Sequence, residues 1–154
     1  MTANRPDFSG LWRLDPAAST FHGPAPAGLI MKVEHREPEL VQHIVATDAA
    51  GTERRSVFSC RTGEETISTI GETILRCRAH WREAADGASS AELVIDTVMS
   101  RQGNLLRFED HWSLSADGTR LIMAHKDDAL AGQTVILTRD DSAAATFDDT
   151  PTPA

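Results

Sequence analysis

Asp7-Phe8-Ser9-Gly10-Leu11-Trp12-Arg13-Leu14 opens the first strand-like segment of the chain, with a glycine two residues ahead of a tryptophan. Gly10 lets another backbone approach closely. Trp12 offers a large apolar plate with one N–H donor, a combination suited to closing the floor of a β-barrel. Near the other end of the sequence, Thr134-Val135-Ile136-Leu137-Thr138-Arg139 is the last strongly strand-like run, and the guanidinium of Arg139 can stack on that indole. Gly10, Trp12 and Arg139 are therefore expected to form a structural closure where the two ends of the sequence meet.

Between these ends, strand-like segments follow one another with short turns. The strands are expected at 29–36, 39–47, 53–60, 65–70, 73–82, 91–100, 105–114, 119–126 and 132–139, after the opening one. Glu37-Pro38, Asp48-Ala49-Ala50-Gly51, Gly71-Glu72, Asp86-Gly87, Gln102-Gly103-Asn104 and Ala116-Asp117-Gly118 supply the turns. No stretch sustains an apolar helical period over ten or more residues. The expected fold is all-β, an antiparallel up-and-down barrel of about 8–10 strands, closed because closure removes exposed edges. Residues 15–28, rich in Pro, Gly and Ala, read as a loop over one barrel end that cannot join a ladder. Phe21 either anchors that loop or rides on a mobile lid. The barrel is expected to occupy 1–139 as a single domain, followed by a flexible acidic tail over 140–154 in which Phe147 could dock.

Strand side chains alternate between faces, so each segment divides into an inner and an outer set. The inner sets are Leu29, Met31, Val33 and His35; Leu75, Cys77, Ala79 and Trp81; Leu93, Ile95, Thr97 and Met99. They continue with Leu106, Phe108, Asp110, Trp112 and Leu114; Leu121, Met123 and His125; and Gln133, Val135 and Leu137. Between Glu39 and Thr47 the pattern leaves both choices open, because Leu40, Gln42 and Ile44 alternate with Val41, His43 and Val45. The interior that results is apolar with a few polar groups. It is either a ligand cavity or a packed core, and about ten strands leave more room than eight.

Gly-x-Trp in the first strand, with a cationic residue closing the last, resembles the lipocalin and calycin barrels. The stretch from Phe8 to Arg139 is similar to small bacterial lipocalin-like proteins that begin DFSG-x-W-x-L and end in a strand like QTVILTR. That resemblance implies a barrel with an internal ligand site and does not name the ligand. Barrels of this type also include cyclases, isomerases and decarboxylases, so it leaves a small cofactor-free enzyme as the alternative to a binding protein. The glycine-rich opening of the haem-binding nitrobindin barrels is missing.

Composition narrows the partners. A formal charge of −8 over 154 residues argues against nucleic acid. The longest apolar runs fall far short of the roughly 20 residues needed to span a bilayer, so no membrane partner is expected. The first residues lack the apolar run of a secretory signal, which makes a cytoplasmic location the expectation unless a leader has been removed. Cys60 and Cys77 read as free thiols in that compartment and as a candidate disulfide outside it. A homodimer stays open.

Asp110 is the leading candidate for chemistry, because a carboxylate on an apolar face must find a partner or take up a proton. His125, on the next strand, and His35, across the barrel, could make it an acid/base pair, with a purely structural ion pair as the alternative. If the chain is an enzyme, Asp110, His125 and His35 are the expected catalytic residues. Trp81, Phe108 and Trp112, with Met31, Met99, Met123 and Cys77, are the expected walls for a hydrophobic or aromatic small molecule. Six histidines show no paired zinc spacing, and neither a metal nor a cofactor is expected. Arg54, Arg55, Arg76, Arg78, Arg82 and Arg107 read as an outer face paired with glutamates, or else as a patch for an anionic partner.

Overall fold

The computed structural model describes residues 5–21, 25–83, 91–127 and 132–147. The expected turn at Asp86-Gly87 and the tail beyond residue 147 lie outside the described residues. Ten strands run β1 (Gly10–Leu14), β2 (Gly28–Arg36), β3 (Glu39–Thr47), β4 (Glu53–Arg61), β5 (Glu65–Ile70), β6 (Thr73–Arg82), β7 (Glu92–Arg101), β8 (Asn104–Leu114), β9 (Arg120–Asp127) and β10 (Gln133–Arg139). They form one sheet in the order β4-β3-β2-β1-β10-β9-β8-β7-β6-β5, with every described pair antiparallel. Strands adjacent in sequence therefore pair with one another except β4 and β5, and β1 pairs with β10 to join the ends. This is an up-and-down, nearly closed barrel. The two-residue connection between β7 and β8 uses Gln102 at φ 51° and Gly103 at φ 81°, the positive pair of a type I′ hairpin turn.

The remaining gap lies between β4 and β5, the two edges of the sheet. At one end it is pinned, with the Arg61 N–H donating to Thr66 Oγ1 at 3.2 Å and the Gly63 N–H to the Ala79 carbonyl at 2.8 Å. Above that pin no ladder joins the two strands among the described residues.

Burial follows the alternation. Met31, Val33, Leu75, Ala79, Leu93, Ile95, Trp112, Leu121, Val135 and Leu137 are all buried inner residues. In β3 the open choice resolves with Gln42 and Ile44 facing in, and His43 outside at 3.2 Å from Glu34. Leu106 has inner-face parity but is 37% exposed, two residues from the start of β8.

One segment differs from expectation. Residues 15–20 do add to the ladder of β10: Asp15 donates to the Ile136 carbonyl, and Thr20 and Thr134 exchange both backbone bonds. Thr20 sits between Pro16 and Pro24, far enough from each to keep its N–H in the ladder. Phe21 packs against the core, as an anchor would. After β10 the chain makes a 3-10 turn, Asp141–Ala143, capped by the Asp140 carboxylate, then one helical turn, α1 (Ala144–Phe147). Phe147 borders a surface groove with Gly10, Leu11 and Val33.

Candidate functional site

One barrel end is filled by side chains from the opening segment. Phe8 is fully buried, stacked on His35 and Trp81 and edge-on to Trp112. Its carbonyl accepts the Trp12 Nε1–H at 3.0 Å. Arg139 lies over the Trp12 ring with its guanidinium carbon 4.3 Å from the centroid, and donates to the carbonyls of Ser9 and Gly118. A Cβ on Gly10 would come within 2.4 Å of Arg139 Nη1, and Gly10 itself has φ +145°. The glycine is thus required by both space and backbone. These residues form the floor.

His35 belongs to that floor. Its Nδ1 accepts the Phe8 N–H at 3.2 Å, which places the ring proton on Nε2, facing Glu37 Oε2 at 3.7 Å. Trp81 donates from Nε1 to the other oxygen of Glu37. Met31 is packed in the core. Of the expected site residues, His125 reaches the cavity through its contact with Asp110 and not as part of the lining, and His35, Trp81 and Met31 lie outside the lining altogether. Strand parity puts these last three inside the barrel, but the level along the barrel axis puts them in the floor.

Above the floor is a cavity of about 180 Å³. Its walls come from Gln42 and Ile44 of β3; Phe58, Ser59 and Cys60 of β4; and Leu75 and Cys77 of β6. The other side is Ile95, Thr97 and Met99 of β7, Phe108, Asp110 and Trp112 of β8, and Met123 of β9. Phe108, Trp112, Met99, Met123, Cys77 and Asp110 are thus brought together. The β4 residues, missed by the inner sets above, carried a weak signal: Phe58 and Cys60 share one parity, but the strand around them is half charged.

Asp110 pairs with His125 across β8 and β9, and His125 Nδ1 lies 2.7 Å from Asp110 Oδ1. Burial pushes the Asp110 carboxyl above its usual range, and the bond and charge of His125 offset part of that rise. The Asp110 side chain keeps 19% of its surface exposed, and Oδ2 accepts no hydrogen bond from any described residue. The His125 ring leans on Phe108, with centroids 5.3 Å apart.

Both cysteines are free. Burial raises the Cys60 thiol to about 12, and it raises Cys77 too, against a hydrogen bond with Thr97 at 3.6 Å. Both are accordingly protonated, weak nucleophiles. Among the described residues no group of three or more His, Cys, Asp or Glu side chains is placed to hold a metal ion. His111 is turned outward between Glu92 and Glu109, and His80 is half exposed beside Asp96. Arg55 pairs with Glu53, Arg61 with Glu39 and Glu64, and Arg82 with Glu92, while Arg76 and Arg107 form no ion pair with a described residue. No described helix is long and apolar enough to cross a membrane.

No protein-family model matches the sequence, and no curated protein matches it. Solved structures do. A secretory abundant heat soluble protein of Ramazzottius varieornatus superimposes with TM-score 0.58 at 9% identity, over 90% of this chain and all of the other. Lipid binding protein 8 of Caenorhabditis elegans, in its apo form, gives 0.57 at 6% identity over 86% and 95% of the two chains. Secretory abundant heat soluble protein 4 of Ramazzottius varieornatus gives 0.52 at 11% identity over 91% and 99%. The fold is the antiparallel, lipocalin-like up-and-down barrel that the opening Gly-x-Trp and the closing arginine suggest.

Proposed function

We propose that this chain binds a small hydrophobic or aromatic molecule inside the upper part of its barrel. The observation that carries the reading is the cavity itself. It is a hollow of about 180 Å³ with apolar and aromatic walls and one carboxylate, Asp110, which His125 holds from outside the lining, set above the core of the floor. Apolar walls with a few convergent polar groups are the general form of a small-molecule site. The volume exceeds the roughly 150 Å³ apolar cavity that holds benzene, and falls below the roughly 300 Å³ of larger ligand sites. One aromatic ring or a short alkyl segment fills it. A structural neighbour being named a lipid binding protein supports a hydrophobic ligand class.

The test is a titration with ethylbenzene, followed by the methyl NMR signals of the methionines. Met99 and Met123 line the cavity, whereas Met31 sits in the packed core as an internal control. Saturable shifts of Met99 and Met123 with Met31 unmoved are expected. No saturable shift up to the solubility limit would exclude an uncharged hydrophobic ligand of this size in the cavity.

A further inference from the structure

The polar groups of the cavity are unevenly chosen. Gln42, Ser59, Thr97 and the two protonated thiols are neutral, and the only ionisable oxygen acid in the wall is Asp110. No lysine or arginine contributes to the lining. Among the described strand arginines, Arg54 shares the inner parity of Phe58 and Cys60 but lies one residue from the start of β4, exposed and outside the lining; the others point to the outer face or sit at strand ends, and Arg139 is committed to the floor. A carboxylate ligand entering this cavity would leave water without a cation to meet it and would face Asp110, so its desolvation would go uncompensated.

A cationic head meets the opposite situation. Asp110 has one oxygen held by His125 and the other without a hydrogen bond from any described residue. Strand alternation places Phe108 and Trp112 on either side of Asp110 on the same face of β8, and Phe58 completes the wall from β4. Aromatic faces beside a carboxylate stabilise an ammonium twice, through their quadrupoles and through a charge-assisted hydrogen bond.

We propose that the cavity selects small organic cations, namely protonated amines bearing one aromatic ring or a short alkyl group, with Asp110 as counter-ion, and discriminates against carboxylates. This rests on the reading that the cavity binds a ligand. His125 orients the carboxylate through Oδ1 and leaves Oδ2 to the ligand. The pair supplies no surplus positive charge for an anion while Asp110 is ionised.

Four probes of matched skeleton test it: 2-phenylethylamine, 2-phenylethanol, 3-phenylpropionate and ethylbenzene, each titrated at neutral pH by the methionine methyl signals. The amine is expected to bind roughly tenfold or more tighter than the alcohol, and tighter still than the carboxylate. Asp110→Asn should erase the amine's advantage while ethylbenzene binding, which also reports that the variant is folded, persists. Equal or tighter binding of the carboxylate overturns the proposal, as does an alcohol that matches the amine. An Asp110→Asn protein that still prefers the amine does so too. Should ethylbenzene bind and no head group matter, the cavity is a ligand site without this selectivity. Should none of the four bind, it is the ligand-binding reading that fails. If Asp110→Asn does not fold, the wild-type series decides alone.

Discussion

At single positions the clearest physical dependence runs from Gly10 to Arg139. The guanidinium occupies the space a Gly10 side chain would need, and it is held there by two carbonyls and an indole face. Gly10→Ala must therefore strain a positive φ and also push Arg139 off its partners, for a loss of about 2–4 kcal/mol in urea unfolding. In an Arg139→Ala background the displacement no longer occurs. The same glycine change should then cost only about 1–2 kcal/mol, and a double-mutant cycle showing full additivity would contradict the contact. Asp110 makes a second case, with the sign set by burial. Its folded pKa is raised, so folding favours the protonated acid, and stability present below the unfolded pKa is lost as pH rises through the folded one. Asp110→Asn, which cannot ionise, should therefore be more stable than wild type at neutral pH. That advantage should shrink as pH falls toward 3.8, and thermal melts across this window measure it.

Among elements, the opening segment Asp7–Ser9 is not itself a strand, yet it supplies the centre of the floor. Phe8 meets rings from β2, β6 and β8 at once, so its truncation cannot be absorbed by one neighbour. Phe8→Ala should cost about 3–5 kcal/mol in urea unfolding, while truncation of the exposed Ile67 of β5 should cost well under 1 kcal/mol. The same elements show what the sequence could and could not disclose. Ten strands were legible because each has a two-residue alternation bounded by turn residues, and the Trp12–Arg139 closure because glycine, indole and cation each have one obvious use there. Parity, however, gives only the side of the sheet. It cannot separate Trp112, shared by floor and cavity, from Trp81, confined to the floor, since that depends on the stagger of strands distant in sequence. Strand β3 was unreadable for a different reason, because both of its faces alternate apolar with polar residues. Phe8 escaped because its burial is produced by three partners far along the chain.

For the molecule as a whole, the governing fact is that a ten-strand ladder is continuous everywhere except between β4 and β5. Residues on both sides of that gap line the cavity: Phe58 and Cys60 from β4, and Cys77 from β6, behind β5. The cavity wall there is held by side chains and by the pin at Arg61, Thr66 and Gly63, not by a row of backbone bonds. Local opening is cheapest where backbone groups lack partners and hydrophobic contacts are few. Val57 of β4 and Ile67 of β5, at 55% and 58% exposure, show how little covers these edges. Hydrogen exchange should therefore find the β4 amides that point away from β3 among the fastest-exchanging of all strand amides. Amides bonded within the β2–β3 and β7–β8 ladders should exchange slowly. Filling the cavity with ethylbenzene should slow exchange along β4 more than along β2 or β10, because β4 contributes wall residues and those two strands contribute none. A uniform slowing of all ten strands would instead mean that the barrel opens only as a unit, with the gap acting as firmly as the ladder on either side of it.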